Sequence, residues 1–180
     1  MMIDEKSKDS DNEKNKFGEK FKKDEAKNDT TKSGSIKSGV IKSKRALENI
    51  VNENIGYIKS TAPNVHCLTN VVTMQDVANM LLAAGGSAIM AQDIKEMEEI
   101  TQITSATLLN MGVPSDEKIA AYIAAGKCAN KLGHPVIFDP VGVGASNYRK
   151  KCANDILANV YPDIIRCNHE EAKVLLEFEN

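Results

Sequence analysis

The chain has 180 residues, with 23 basic and 25 acidic side chains and a formal net charge of −2. Residues 1–45 carry 13 Lys and Arg against 9 Asp and Glu, which leaves 10 basic and 16 acidic groups, a net of −6, on residues 46–180. A segment as charged as the first buries too little apolar surface to offset its chain entropy and is expected to be a disordered tail. The remaining residues have the size of one domain, and their negative charge argues against a nucleic-acid partner. No apolar run is long enough for a membrane span, and the N-terminus lacks the apolar core of a signal peptide, so a cytoplasmic protein is expected. Cys67, Cys128, Cys152 and Cys167 lie too far apart for a zinc knuckle or a small disulfide scaffold and read as free thiols.

From Ala46 onward the pattern alternates between two periods. ALENIVNENIGYIKS places Leu47, Ile50, Val51, Ile55 and Ile58 at helical spacing. NVHCLTN reads as a short strand, and MQDVANMLLAAGG as a helix stopping at Gly85 and Gly86. SAIMA is a strand. DIKEMEEITQIT is a helix with Asp93 and Glu96 at capping-box spacing. SATLLNM is a strand, PSDEKIAAYIAAGKCANKLG a long helix from Pro114 to Gly133, and HPVIFDP a strand. RKKCANDILANV is a helix, PDIIRC a strand, and NHEEAKVLLEF begins a last helix. Short apolar strands alternating with helices predict an α/β fold, a parallel sheet with helices on both faces. Ligands of such sheets bind beyond the carboxyl ends of the strands, so the residues following each strand are the candidates.

Those residues are Thr69 and Asn70, Met90, Asn110 and Gly112, the run Asp139-Pro-Val-Gly-Val-Gly-Ala-Ser, and Asn168 with Glu171. Glycines after a strand-terminal carboxylate let a backbone approach a ligand and offer it N–H groups; the same residues also make a plain turn capped by Asp139. Asn168 and Glu171 have the spacing of an ordinary capping box, and Glu171 also suits a carboxylate near Mg²⁺ and phosphate. Arg149 reads either as a phosphate-holding guanidinium or as a solvated helix residue. Met90 reads as core or as a pocket wall. His66 and His134 read as core or edge histidines.

The blocks VHCLTNVVTMQDVANMLLAAGGSAIMA, LLNMG, HPVIFDPVGVGAS followed by Arg149, and IIRCNHEEAKVLL together resemble the hydroxyethylthiazole kinase family, in order and separation. The resemblance runs from about residue 46 to the end. It implies a ribokinase-like fold, incomplete here, and transfer of the γ-phosphate of ATP to the hydroxyl of 4-methyl-5-(2-hydroxyethyl)thiazole with Mg²⁺, in thiamine biosynthesis. It also implies a homotrimer with the thiazole at the subunit interface. On it, Met90 and Asn70 are expected to bind the thiazole, Arg149, Asn168, Asp139 and Gly142 to bind ATP, with Arg149 in direct contact, and Glu171 to serve Mg²⁺. Cys167 stands where the family usually has Gly. The family's Gly-rich anion hole and its catalytic Cys or Asp match nothing before Asn180. The catalytic group is therefore unknown, and residues 46–180 are expected to form only the N-terminal part of the domain. The alternative expectation is an inactive fragment that serves at most as a small-molecule binding or oligomerisation module.

Overall fold

The computed structural model describes residues 44–179. The expected disordered tail falls outside these residues, except for Lys44 and Arg45, which open the first helix. The elements are α1 (Lys44–Thr61), β1 (Asn64–Leu68), α2 (Met74–Ala84), β2 (Ser87–Ile89), α3 (Met97–Gln102), β3 (Ala106–Asn110), α4 (Asp116–Leu132), β4 (Val136–Asp139), α5 (Asn147–Leu157), β5 (Ile164–Ile165) and α6 (His169–Leu176). The strands form one parallel sheet in the order β2-β1-β3-β4-β5. After β2 the chain returns past β1 to start β3, so the order reverses between β1 and β3. That switch point is where α/β sheets open a crevice at their carboxyl ends.

Residue chemistry accounts for most boundaries. Ser115 caps α4 by accepting from the Lys118 N–H, and Ser146 caps α5 from the Arg149 N–H. Gly85 and Gly133 close α2 and α4 in the left-handed conformation. Two expected helices differ. Asp93 accepts from the Lys95 N–H and so starts a 3-10 turn at Ile94–Glu96, and α3 begins only at Met97. Helix α5 starts at Asn147, two residues before Arg149, because Ser146 supplies the cap.

The expected α/β parallel sheet is present, and its two faces are unequally covered. His66, Leu68, Thr107, Leu109, Val136 and Phe138 are buried on one face, with Leu109 opposite Phe138 in register. They meet Met97 of α3, Ile119, Tyr122 and Ala125 of α4, and Ile156 of α5. The other face carries half-buried Leu108 and Ile137. No residue of α2 is buried, and of the apolar stripe on α1 only Ile55 and Ile58 are partly covered. The outer strand is also open: Ile164 is 56% exposed.

Both imidazole nitrogens of His66 are used inside the core. Nδ1 lies 3.0 Å from Thr101 Oγ1 and Nε2 lies 3.2 Å from the Ala91 carbonyl, so Nε2 donates to that carbonyl. Burial holds the imidazole below its ordinary pKa of 6.5, against the pull of the Ala91 carbonyl and Glu96. In the range below 6.5 the unfolded chain takes up the proton and the folded chain does not. Folding stability should therefore fall as pH drops through that range. Urea midpoints between pH 7.5 and 5.5 should show this slope, and His66→Gln should flatten it.

Candidate functional site

All five strand ends face one side of the sheet, and their polar side chains connect. At the end of β1, buried Asn70 accepts the Val72 N–H at 3.1 Å through Oδ1 and donates from Nδ2 to Asn110 Oδ1 at 3.2 Å. Asn110, the last residue of β3, donates from its own Nδ2 to Asp139 Oδ2 at 2.9 Å. Asp139, the last residue of β4, accepts Arg166 Nη1 at 3.2 Å from beyond β5. This chain of contacts crosses four neighbouring strands. Met90 follows β2 directly, half-buried, and the two residues after it are tied to β1 and the residue following it. Ala91 accepts from His66, and Gln92 Nε2 donates to the Thr69 carbonyl at 2.7 Å.

The loop after β4 is held from two sides. Gly142 has φ +66°, a conformation that costs any side chain strain, so glycine is needed there. Its N–H donates to Glu171 Oε1 at 2.8 Å. Glu171 Oε2 accepts the Asn168 N–H at 2.9 Å while Asn168 Oδ1 accepts the Glu171 N–H at 2.9 Å. The capping box is thus real, and its carboxylate also fastens α6 to the glycine loop. The other holder is Arg149. Its Nη1 donates to the carbonyls of Val141 at 2.9 Å and Met111 at 3.3 Å, and its Nη2 to that of Gly112 at 2.9 Å. Three of its five donors therefore staple the loops after β3 and β4 together. Gly112 lies so close to Asn70 that an added Cβ would overlap Asn70 Nδ2.

Arg166 was not singled out from sequence. It sits just past the outermost strand, and its side chain is 74% exposed while its partner Asp139 is 9% exposed. It is thus a guanidinium at the strand ends with donors still to offer. Its position immediately after a strand was the available signal. Burial, the largest influence, pushes the Asp139 carboxyl above its ordinary range; Arg166 opposes this, nearby Glu171 adds to it, and the Asn110 hydrogen bond opposes it. Asp139 and Glu171 both offer hard oxygen donors of the kind that suit Mg²⁺, which takes one or two carboxylates and completes its shell with water or phosphate oxygen. Among the described residues no group of three or more His, Cys, Asp or Glu that could hold a metal comes together. All four cysteines are free, and burial pushes the Cys67 thiol up to about 11.

The sequence pattern of the hydroxyethylthiazole kinase family matches residues 55–180. The chain belongs to the hydroxyethylthiazole kinase family. It is 52% identical over 118 residues to a hydroxyethylthiazole kinase of Clostridium botulinum, covering 66% of this chain and 42% of that one. It is 48% identical over 126 residues to the enzyme of that name from Clostridium acetobutylicum, covering 70% and 46%. It thus spans less than half the length of these relatives. The solved hydroxyethylthiazole kinase of Pyrococcus horikoshii superposes with a TM-score of 0.68 at 34% identity, over 73% of this chain and 51% of that one. In this member of the family the sequence-predicted residues divide between two ends of one edge. Met90 and Asn70 lie beyond β2 and β1, while Asp139, Gly142, Asn168, Glu171 and Arg149 surround the loop between β4 and α5 and the start of α6.

The staple role of Arg149 is testable. Lysine carries a single ammonium in place of the planar fork and cannot serve three carbonyls at once. Arg149→Lys should lower unfolding free energy by about 1.5–3 kcal/mol, the range for hydrogen bonds to charged groups. It should also speed amide exchange at Gly112 and Gly142.

Proposed function

We propose that the protein of which these residues are part is a kinase that transfers the γ-phosphate of ATP to the hydroxyl of 4-methyl-5-(2-hydroxyethyl)thiazole, in thiamine biosynthesis or salvage. The observation that carries this reading is the family match over residues 55–180 combined with the gathering of the candidate residues along one carboxyl edge of the sheet. On this reading the thiazole lies against Met90 and Asn70, and the triphosphate lies over the glycine loop between Asp139 and Asn168. Phosphoryl transfer is chiefly positioning and stabilisation of charge on the moving group. Gly142 and the stapled loop give a rigid floor, with Arg149 acting through the loops it holds. Arg166, with open donors, supplies the direct phosphate contact. Glu171 together with Asp139 would hold Mg²⁺, which when bound neutralises phosphate charge.

No helix of the described residues is long and apolar enough to cross a membrane. We infer a cytoplasmic homotrimer, with no nucleic-acid partner. The support is an uncovered apolar surface next to the thiazole side: Val71 and Val72 are each 78% exposed and Met80 is 73% exposed. Contiguous exposed apolar surface is the kind that marks an interaction site.

A second reading is that residues 1–180 serve at most as a small-molecule binding or oligomerisation module, binding the thiazole without turning it over. Incubation of the 180-residue protein with ATP, Mg²⁺ and the thiazole alcohol separates the two. Phosphorylated product supports the kinase reading for this chain, and thermal stabilisation by the alcohol with no product supports the binding module. In the active protein, Arg166→Ala should raise the KM for ATP about ten- to a hundred-fold, the worth of a charge-assisted hydrogen bond. Met90→Ala should raise the KM for the thiazole about ten-fold through lost apolar contact. Unchanged KM values in both variants would remove the assigned positions of the two substrates.

A further inference from the structure

Asn110 carries no role in the reading above, yet its side chain touches both halves of the site. Strand β3 lies between β1, which ends in the thiazole side, and β4, which ends in the nucleotide side. Asn110 Oδ1 accepts two hydrogen bonds, from Asn70 Nδ2 at 3.2 Å and from the Gly112 N–H at 3.0 Å. Its Nδ2 donates to Asp139 Oδ2 at 2.9 Å. The backbone is held as well. The Asn110 carbonyl accepts the hydroxyl of buried Tyr122 at 2.9 Å, and burial pushes that hydroxyl's pKa up to about 12, so it stays a donor. The next residue, Met111, donates its N–H to the Asp139 carbonyl at 2.9 Å.

These contacts require an amide in one orientation. Turned over, its NH₂ would face the N–H groups of Asn70 and Gly112, and its oxygen would face the Asp139 carboxylate. No other small side chain offers a donor on one side and an acceptor on the other in one plane. A carboxylate accepting from Nδ2 polarises the amide and strengthens Oδ1 as an acceptor, so the two contacts reinforce each other. A change in what Asp139 binds therefore reaches Asn70 through a single rigid group, and the reverse holds equally.

We propose that Asn110 is a positioning residue that couples the two halves of the site, so that nucleotide beside Asp139 and thiazole beside Asn70 each alter the other's affinity. The proposal rests on the kinase reading for the identity of the two ligands. The coupling is reciprocal by thermodynamic necessity.

The test is calorimetric. The dissociation constant of the thiazole alcohol is measured on the full 180-residue protein, alone and saturated with Mg²⁺ and a non-hydrolysable ATP analogue. The unsubstituted protein should show a difference of roughly five-fold or more between the two conditions. In Asn110→Leu, which keeps the bulk and removes both arms, that ratio should fall to about one. Asn110→Ser, which cannot overfill the site, is measured in parallel in case the leucine variant does not fold. A merely structural role would lower melting temperature and weaken each ligand singly while leaving the ratio intact; an intact ratio in a folded variant overturns the proposal. An unsubstituted protein that binds both ligands with a ratio of one also overturns it and leaves the kinase reading standing. An unsubstituted protein that binds neither ligand overturns the placement of the two ligands on residues 44–179, and the coupling falls with it.

Discussion

The parallel register of β1, β3 and β4 is the constraint on which the site depends. Leu68 lies opposite Leu109, Leu109 opposite Phe138, and Asn110 opposite Asp139. A one-residue slip of a strand turns every side chain to the other face. Such a slip would expose Leu109 or Phe138 and bury Asn110 or Asp139 in apolar surroundings. The core residues thus hold the polar ones at the strand ends. With the strands in this register, Asn70, Asn110 and Asp139 follow one another along the edge at hydrogen-bonding distance.

The loops beyond that edge are shaped by groups that look, from their chemistry, like ligand binders. Arg149 spends three donors on backbone carbonyls, and Glu171 spends both carboxylate oxygens on backbone N–H groups. Loop backbone at a sheet end has no ladder to satisfy its polar groups, so side chains must do it. The same economy ties the loop after β2 through His66 and Gln92. A charged residue near a glycine loop can therefore shape the loop and leave the ligand contact to a neighbour. Arg166, with donors still available, is the neighbour proposed for that contact.

Packing is concentrated on one face of the sheet. Helices α3, α4 and α5 meet Leu68, Leu109 and Phe138, whereas α2 buries none of its residues. The exposed Val71, Val72 and Met80 lie beyond the end of β1 and on α2, close in sequence to Asn70.

By itself the sequence determined the alternation of elements and the residues at their ends. Helical and strand periods are local, and caps such as Ser115 and Asn168 act within three residues, so NVHCL, ATLLN and VIFD read correctly as strands. It also singled out Asn70, Asp139 and Gly142, because strand-end position is legible from composition. It misjudged the start of α3, which Asp93 delays by opening a 3-10 turn, and of α5, which Ser146 caps two residues earlier than expected. Only the tertiary structure decided which side chains are already occupied. Arg149 and Arg166 are chemically identical in the sequence, and what separates them is carbonyls up to 38 residues away in the chain. The same holds for Asn110, whose partners lie 40 residues before it and 29 after it. Hydrogen bonds over such separations exist only once the sheet has formed in register, and no local pattern of residue types encodes them.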